Sequence, residues 1–201
     1  MMATTHALWG MMLALPVLAV APEFAPIAFV AGLVGGATPD LDLYTGHRKT
    51  LHFPVYATVA TIPALAAALV APSPVTVALA VGLAGAALHA IADVFGGGLE
   101  LRPWEGRSDR AVYSHYHGRW IRPRRLVRYD GAPEDLLLAV YAGIPVIVIA
   151  DGFVGAVALS LVVVSGGYAV VRKPLAGVAE RLVRLLPTAL LPYVPTRYRG
   201  T

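Results

Sequence analysis

The chain has 201 residues and a formal net charge of +4; it is 57% hydrophobic, only 14% charged, and contains no cysteine. A soluble domain carries about 25% charged residues, and a chain of this size cannot hide so large an apolar excess in one core. A disordered chain, a soluble secreted module and a disulfide scaffold are therefore excluded, and composition predicts one integral membrane domain over residues 1–201, an all-α polytopic helix bundle.

The predicted elements follow in chain order. Hydrophobic runs occupy residues 7–21, 24–38, 54–71, 74–93, 135–150 and 152–171, each near the short end of the roughly 17–25 residues that cross a hydrocarbon core. No Lys or Arg precedes Arg48, so the basic n-region of a secretory signal is missing and the first run is expected to stay as a span. The runs pair across tight turns at Pro22-Glu23, Pro72-Ser73-Pro74 and Asp151-Gly152. Pro-x-Pro and Asp-Gly are turn signals, which predicts three helical hairpins and six transmembrane helices.

A last stretch, 174–194, is less uniform. Glu180, Arg181 and Arg184 share one helical face, with Leu175, Val178, Leu182 and Leu186 largely opposite. That pattern predicts a C-terminal amphipathic helix or an extra span.

Charge placement bears on the count of spans. Of the 16 Lys and Arg, Arg48 and Lys49 precede the third run, eight arginines lie between Arg102 and Arg128, and the remainder follow residue 171. With six spans all of them fall on one side, which the positive-inside rule makes cytoplasmic, at a cell (inner or plasma) membrane. The basic loop, residues 97–134, interleaves its arginines with Trp104, Tyr113, Tyr116 and Trp120. Its simplest role is to lie along anionic membrane lipids, with a nucleic acid or protein partner as the alternative. Gly32-x-x-Gly35-Gly36 and Gly82-x-x-Gly85 are read as sites of close helix approach.

Ionisable residues at membrane depth are costly and ask for a partner. His6 opens the first span, Asp40 and Asp42 close the second, His47 and His52 flank Arg48 before the third, and His89 and Asp93 end the fourth. Under the hairpin topology all seven acid and imidazole groups reach the same face. His89 and Asp93 are spaced i, i+4 and so leave one helical face a turn apart. Asp40 and Asp42 offer carboxylates, and His47 and His52 imidazoles, to one or two divalent ions. Nitrogen and oxygen donors without thiolate favour zinc, with manganese or iron as alternatives. His115 and His117 sit in the basic loop, away from any carboxylate cluster. The five serines show no Gly-x-Ser-x-Gly elbow, and there is no Walker loop.

The set formed by His6, Pro39-Asp40-Leu41-Asp42, His47-Arg48, His52 and His89-x-x-x-Asp93 resembles the inner-membrane-associated, LexA-binding type of metal-dependent hydrolases. That family is similar in motif order to zinc-dependent phospholipase C and the single-strand-specific zinc nucleases. The resemblance covers about the first hundred residues and implies a multi-metal site with His, Asp and His-x-x-x-Asp ligands. The family usually reads His-Arg-Gly-x-Thr-His-Ser, whereas Lys49, Leu51 and Phe53 stand here at the Gly, Thr and Ser positions.

The chemistry expected of such a site is metal-assisted hydrolysis of a phosphoester, such as a lipid or lipid-linked phosphate, at the cytoplasmic face. Asp40 or Asp42 would bridge metals or take a proton from water, and Arg48 would hold a phosphate oxygen. Two alternatives stand beside it: a non-enzymatic membrane protein with a structural metal or ion-relay cluster, and a membrane-tethered binding module. Transport is disfavoured because residues 57–69, 77–88 and 138–150, the middles of three spans, carry no charged residue.

Overall fold

The computed structural model describes residues 1–150 and 152–198; Asp151 of the third turn and Arg199 lie outside the described residues. The fold is mostly helical. Helix α1 (Ala3–Met12) runs into α2 (Leu15–Val20), with the ladder interrupted where Pro16 has no N–H to contribute. Helix α3 (Ala25–Ala37) tightens into a 3-10 stretch over Thr38–Tyr44 that carries Asp40 and Asp42. Helices α4 (Pro54–Val70) and α5 (Pro74–Ala92) follow, then α6 (Pro133–Ile149) and α7 (Phe153–Arg184).

The turns are made by the residues that signalled them. Ser73 accepts from the Thr76 backbone N–H at 3.2 Å while Thr76 Oγ1 accepts from the Ser73 N–H at 2.9 Å, a capping box with Pro74 at the first helical position. Between α6 and α7, Gly152 takes φ 64, a left-handed backbone that a residue with a Cβ adopts only under strain.

Helix α1 is central, packing on α3, α5, α6 and α7, while α3 and α4 both pack on α5. The glycines predicted to allow close approach do so. A Cβ on Gly10 would collide with the Gly32 carbonyl, one on Gly35 with the Gly82 carbonyl, and one on Gly36 with the His6 carbonyl. Backbone-to-backbone contact of this kind gains dispersion over many atoms where lipid supplies no hydrophobic drive. It also brings the polar ends of α1, α3 and α5 together.

Four helical stretches are long and apolar enough to cross a membrane: Ala3–Val20, Pro22–Tyr44, Pro74–Phe95 and Phe153–Arg184. The outward faces agree, with Val59, Ile62 and Leu69 on α4 and Val163 and Val170 on α7 more than half exposed. Inside, Leu8, Met11, Ala28, Phe29 and Val146 form the apolar core.

One expectation is corrected. Residues 174–194 are not a separate amphipathic helix, because α7 continues through Pro174 to Arg184 before a 3-10 turn at Thr188–Tyr193. The helix is held on both sides of the proline: Arg172 Nε pairs with Asp130 at 2.7 Å, and Glu180 with Arg102 Nη2 at 2.7 Å. The basic loop contains an antiparallel hairpin, β1 (Val112–Ser114) with β2 (Arg119–Ile121), and Ala111, Val112 and Ser114 are fully buried.

Candidate metal centre

Four of the seven predicted ligands converge. One donor atom each from Asp40, His52, His89 and Asp93 lies within 4.8 Å of all the others. His89 and Asp93 come from the end of α5, Asp40 from the 3-10 stretch after α3, and His52 from the loop entering α4. His52, His89 and Asp93 are buried, and Asp40 is about one-fifth exposed.

The hydrogen bonds fix both imidazole tautomers. His89 Nδ1–H donates to the Gly36 carbonyl at 2.6 Å, and His52 Nδ1–H donates to Asp42 Oδ2 at 3.0 Å. Since both partners only accept, each ring in its neutral form keeps its lone pair on Nε2. Those two Nε2 atoms face each other at 3.1 Å. Opposed lone pairs at that distance repel unless a cation, metal ion or proton, lies beside them.

The carboxylates supply the counter-charge. Asp93 Oδ2 stands 3.4 Å from His52 Nε2 and 3.7 Å from His89 Nε2, and Asp40 Oδ1 is 3.6 Å from His89 Nε2. Asp93 Oδ2 is buried and accepts no hydrogen bond, whereas Oδ1 accepts from the Met1 amino group at 2.7 Å and from His6 Nε2–H at 3.1 Å. A tetrahedral site with bonds of about 2.0–2.1 Å has ligand–ligand edges of about 3.3–3.5 Å. The donor set and its spacing could hold one metal ion.

The other three predicted ligands lie outside this group of four. His6 stacks on His89 at 3.7 Å between ring centroids and steadies Asp93 through Oδ1. Asp42 sits behind His52 with both oxygens engaged: Oδ1 by His47 Nδ1–H and the Arg48 N–H, Oδ2 by His52 Nδ1–H and the N–H groups of Lys49 and Leu51. A carboxylate saturated in this way orients a ligand rather than reaching for the ion. His47 remains part-buried beside it, and burial lowers its pKa against the opposing pull of Asp42.

Arg48 adopts the left-handed region at φ 59 and turns its guanidinium inward. Nε pairs with Asp93 Oδ2 at 3.0 Å and Nη1 donates to the Gly97 carbonyl at 2.8 Å. Its fork thus holds a candidate ligand and the start of the basic loop.

That loop closes over the site's edge. Tyr113 N–H donates to the Arg48 carbonyl at 2.9 Å, and His115 Nε2–H to the Lys49 carbonyl at 2.6 Å. His117 bonds only to Ser114, so neither histidine of the loop approaches the cluster. Several loop arginines are paired internally, Arg107 with Glu105, Arg122 with Asp109 and Arg128 with Glu134.

Sequence reasoning missed two acids, the buried Asp135 and the part-buried Asp130. Asp135, in the first turn of α6, accepts from the Met2 N–H, Thr5 Oγ1–H and the Gly131 N–H, tying α6 to the start of α1. Asp130 is held by Arg172 and by Tyr168 Oη–H at 2.6 Å. Asp135 follows Pro133 and Glu134, a helix-start signature that marks its position without disclosing its partners.

Two cavities flank the cluster. One of about 860 Å³ is almost wholly apolar and includes His6 and His89 in its wall. The other, about 490 Å³, is more polar and is lined by Asp40, His47 and Arg48 among others. No family model, no curated protein and no solved structure matches this chain.

Proposed function

We propose that this chain is a multi-pass membrane protein of six spans in three hairpins, with its basic loops cytoplasmic, and that it is a metal-dependent hydrolase of phosphoesters such as lipid or lipid-linked phosphates. The observation that carries the reading is the pair of Nε2 atoms opposed at 3.1 Å, flanked by Asp40 and by Oδ2 of Asp93, which Arg48 Nε ion-pairs from its other side. Two imidazoles and two carboxylates favour zinc, with manganese or iron as alternatives.

A bound zinc-like ion supplies acidification of a water to near neutral pH and a Lewis acid for the oxygen that gains charge. The chain's own residues do the rest. Asp42 and the Gly36 carbonyl hold His52 and His89 with Nε2 presented inward. Arg48 and His6 fix Asp93. Asp40 is the least buried of the four and faces the polar cavity, which makes it the carboxylate to accept a proton from an attacking water.

The ion-relay alternative draws on the same 3.1 Å contact, which one shared proton also satisfies. Elemental analysis of detergent-purified protein beside an Asp40→Ala, His89→Ala double variant separates the two. One equivalent of zinc or manganese in the parent, absent from the variant, with metal-dependent release of phosphate from a lipid phosphoester, is expected. A parent that stays empty after loading with divalent ions overturns the hydrolase and leaves the proton relay.

A further inference from the structure

Trp9 lies three residues beyond His6 on α1. The i, i+3 spacing puts both side chains on one face, about one helical turn apart. The Trp9 indole Nε1–H is shielded from solvent and finds no acceptor, although buried donors are nearly always paired. The ring lies 5.8 Å from that of Tyr141 on α6.

The same indole lines the apolar cavity. Its walls include Trp9, Leu88, Ile91, Phe95, Leu137 and Tyr141. Leu137 and Tyr141 are more than 60% exposed, whereas His6 and His89 are at most 2% exposed. The groove therefore opens sideways on the outer faces of α5 and α6 and ends against His6 and His89, the latter one of the four clustered residues. Its volume, about 860 Å³, lies in the range that holds small-molecule ligands. A slot apolar along its length and polar at its end suits an amphiphile.

We propose that this groove is the chain subsite for an acyl lipid phosphate. A fatty chain lies between α5 and α6, the ester or amide carbonyl accepts from Trp9 Nε1–H, and the phosphate one turn away reaches Asp40, His52, His89 and Asp93. The inference rests on reading the cluster as a phosphoester site and adds the substrate class. A polyisoprenyl phosphate has no carbonyl to satisfy Trp9. The polar cavity on the other side, with Asp40, His47 and Arg48 in its wall, gives the water-soluble product a separate way out.

Native mass spectrometry of the purified full chain in detergent tests this by counting bound lipid and bound zinc together. The probes are dioleoyl phosphatidic acid and its dialkyl-ether analogue, which lacks both carbonyls. The parent is expected to retain one ester lipid and to bind the ether about fivefold more weakly, the worth of one net hydrogen bond. Trp9→Phe brings the ester down to the ether's level. Leu137→Trp, or Val140→Phe if the first variant does not fold, fills the groove and displaces the lipid with zinc retained. Equal binding of ester and ether by the parent, or lipid retained in a folded, groove-filled variant, overturns the proposal. Zinc bound without ester preference defeats only the acyl subsite, and ester preference without zinc defeats only the hydrolase.

Discussion

The Gly36 carbonyl accepts the Nδ1–H of His89 at 2.6 Å, and the same residue lies so close to α1 that a Cβ there would strike the His6 carbonyl. One glycine thus sets both the spacing of the helices and the tautomer of a candidate metal ligand. Without a side chain at this point, α1 and α3 meet backbone to backbone and the carbonyl turns towards α5.

Gly36→Ala should force these helices apart, because the new Cβ would overlap the His6 carbonyl, and so weaken the bond to His89. Loss of such a supporting partner lowers metal affinity by about 10–100-fold. Gly166→Ala, where a Cβ meets nothing within 4 Å, should leave affinity unchanged. Competition for zinc against a chromogenic chelator measures both, and helix content by circular dichroism confirms that each variant folds.

Asp42→Asn tests the loop behind the site. An amide presents one accepting oxygen, so part of the group of five donors that meets Asp42 would face an NH2 instead. A buried donor left unpaired costs about 1–3 kcal/mol. Faster proteolysis between α3 and α4 and a weaker zinc site are the expected results; unchanged proteolysis would show that the backbone alone holds the loop.

The Asp130–Arg172 pair predicts a pH dependence of its own. Burial acts to raise the Asp130 carboxyl, but the Arg172 guanidinium and the Tyr168 hydroxyl outweigh it and hold the pKa below its ordinary value. A carboxylate with a depressed folded-state pKa contributes stability above its unfolded value of about 3.9, and loses it as pH falls through the folded value. The difference in thermal stability between the parent and Asp130→Asn should be constant from pH 8 to 5. It should shrink below about pH 4.

Metal removal should have a structural signature as well as a catalytic one. Stripping the ion leaves two imidazole Nε2 atoms at 3.1 Å and the carboxylates of Asp40 and Asp93 facing each other across the empty position. A chelator is therefore expected to lower the thermal midpoint, and one equivalent of zinc to restore it. Imidazoles bind metal only when neutral, so the restoring concentration of zinc should rise as pH falls. A midpoint indifferent to chelator would show that a proton fills the gap.

Much of this was legible in one dimension. The turn at Pro72-Ser73-Pro74, the apolar runs, and the i, i+4 placement of His89 and Asp93 are local properties, set by backbone sterics and helical pitch. The hairpin in the basic loop was not legible, because strands of three residues, Val-Tyr-Ser and Arg-Trp-Ile, are too short to show an alternating apolar pattern; what orders them is contact with the 47–52 loop. The continuation of α7 past Pro174 was hidden for a related reason. Its sequence reads as a break, and only the pairs of Arg172 with Asp130 and Glu180 with Arg102 show what holds the helix on either side.

By itself the sequence determined the class of molecule and the chemistry available to it. A chain this apolar, with its few acids and histidines gathered at helix ends, must place them together at one face or pay for them singly. Only the tertiary structure decided which of them converge. A carboxylate has two oxygens, and whether they meet an ion or are consumed by backbone N–H groups depends on the path of a loop, not on residue type. Hence Asp42, two residues from Asp40, turns away to hold His52, while Asp93 keeps one oxygen without a hydrogen-bond donor beside His52 and His89. That choice follows from the close approach of α1, α3 and α5 at their glycines, a distance that no spacing along the chain encodes.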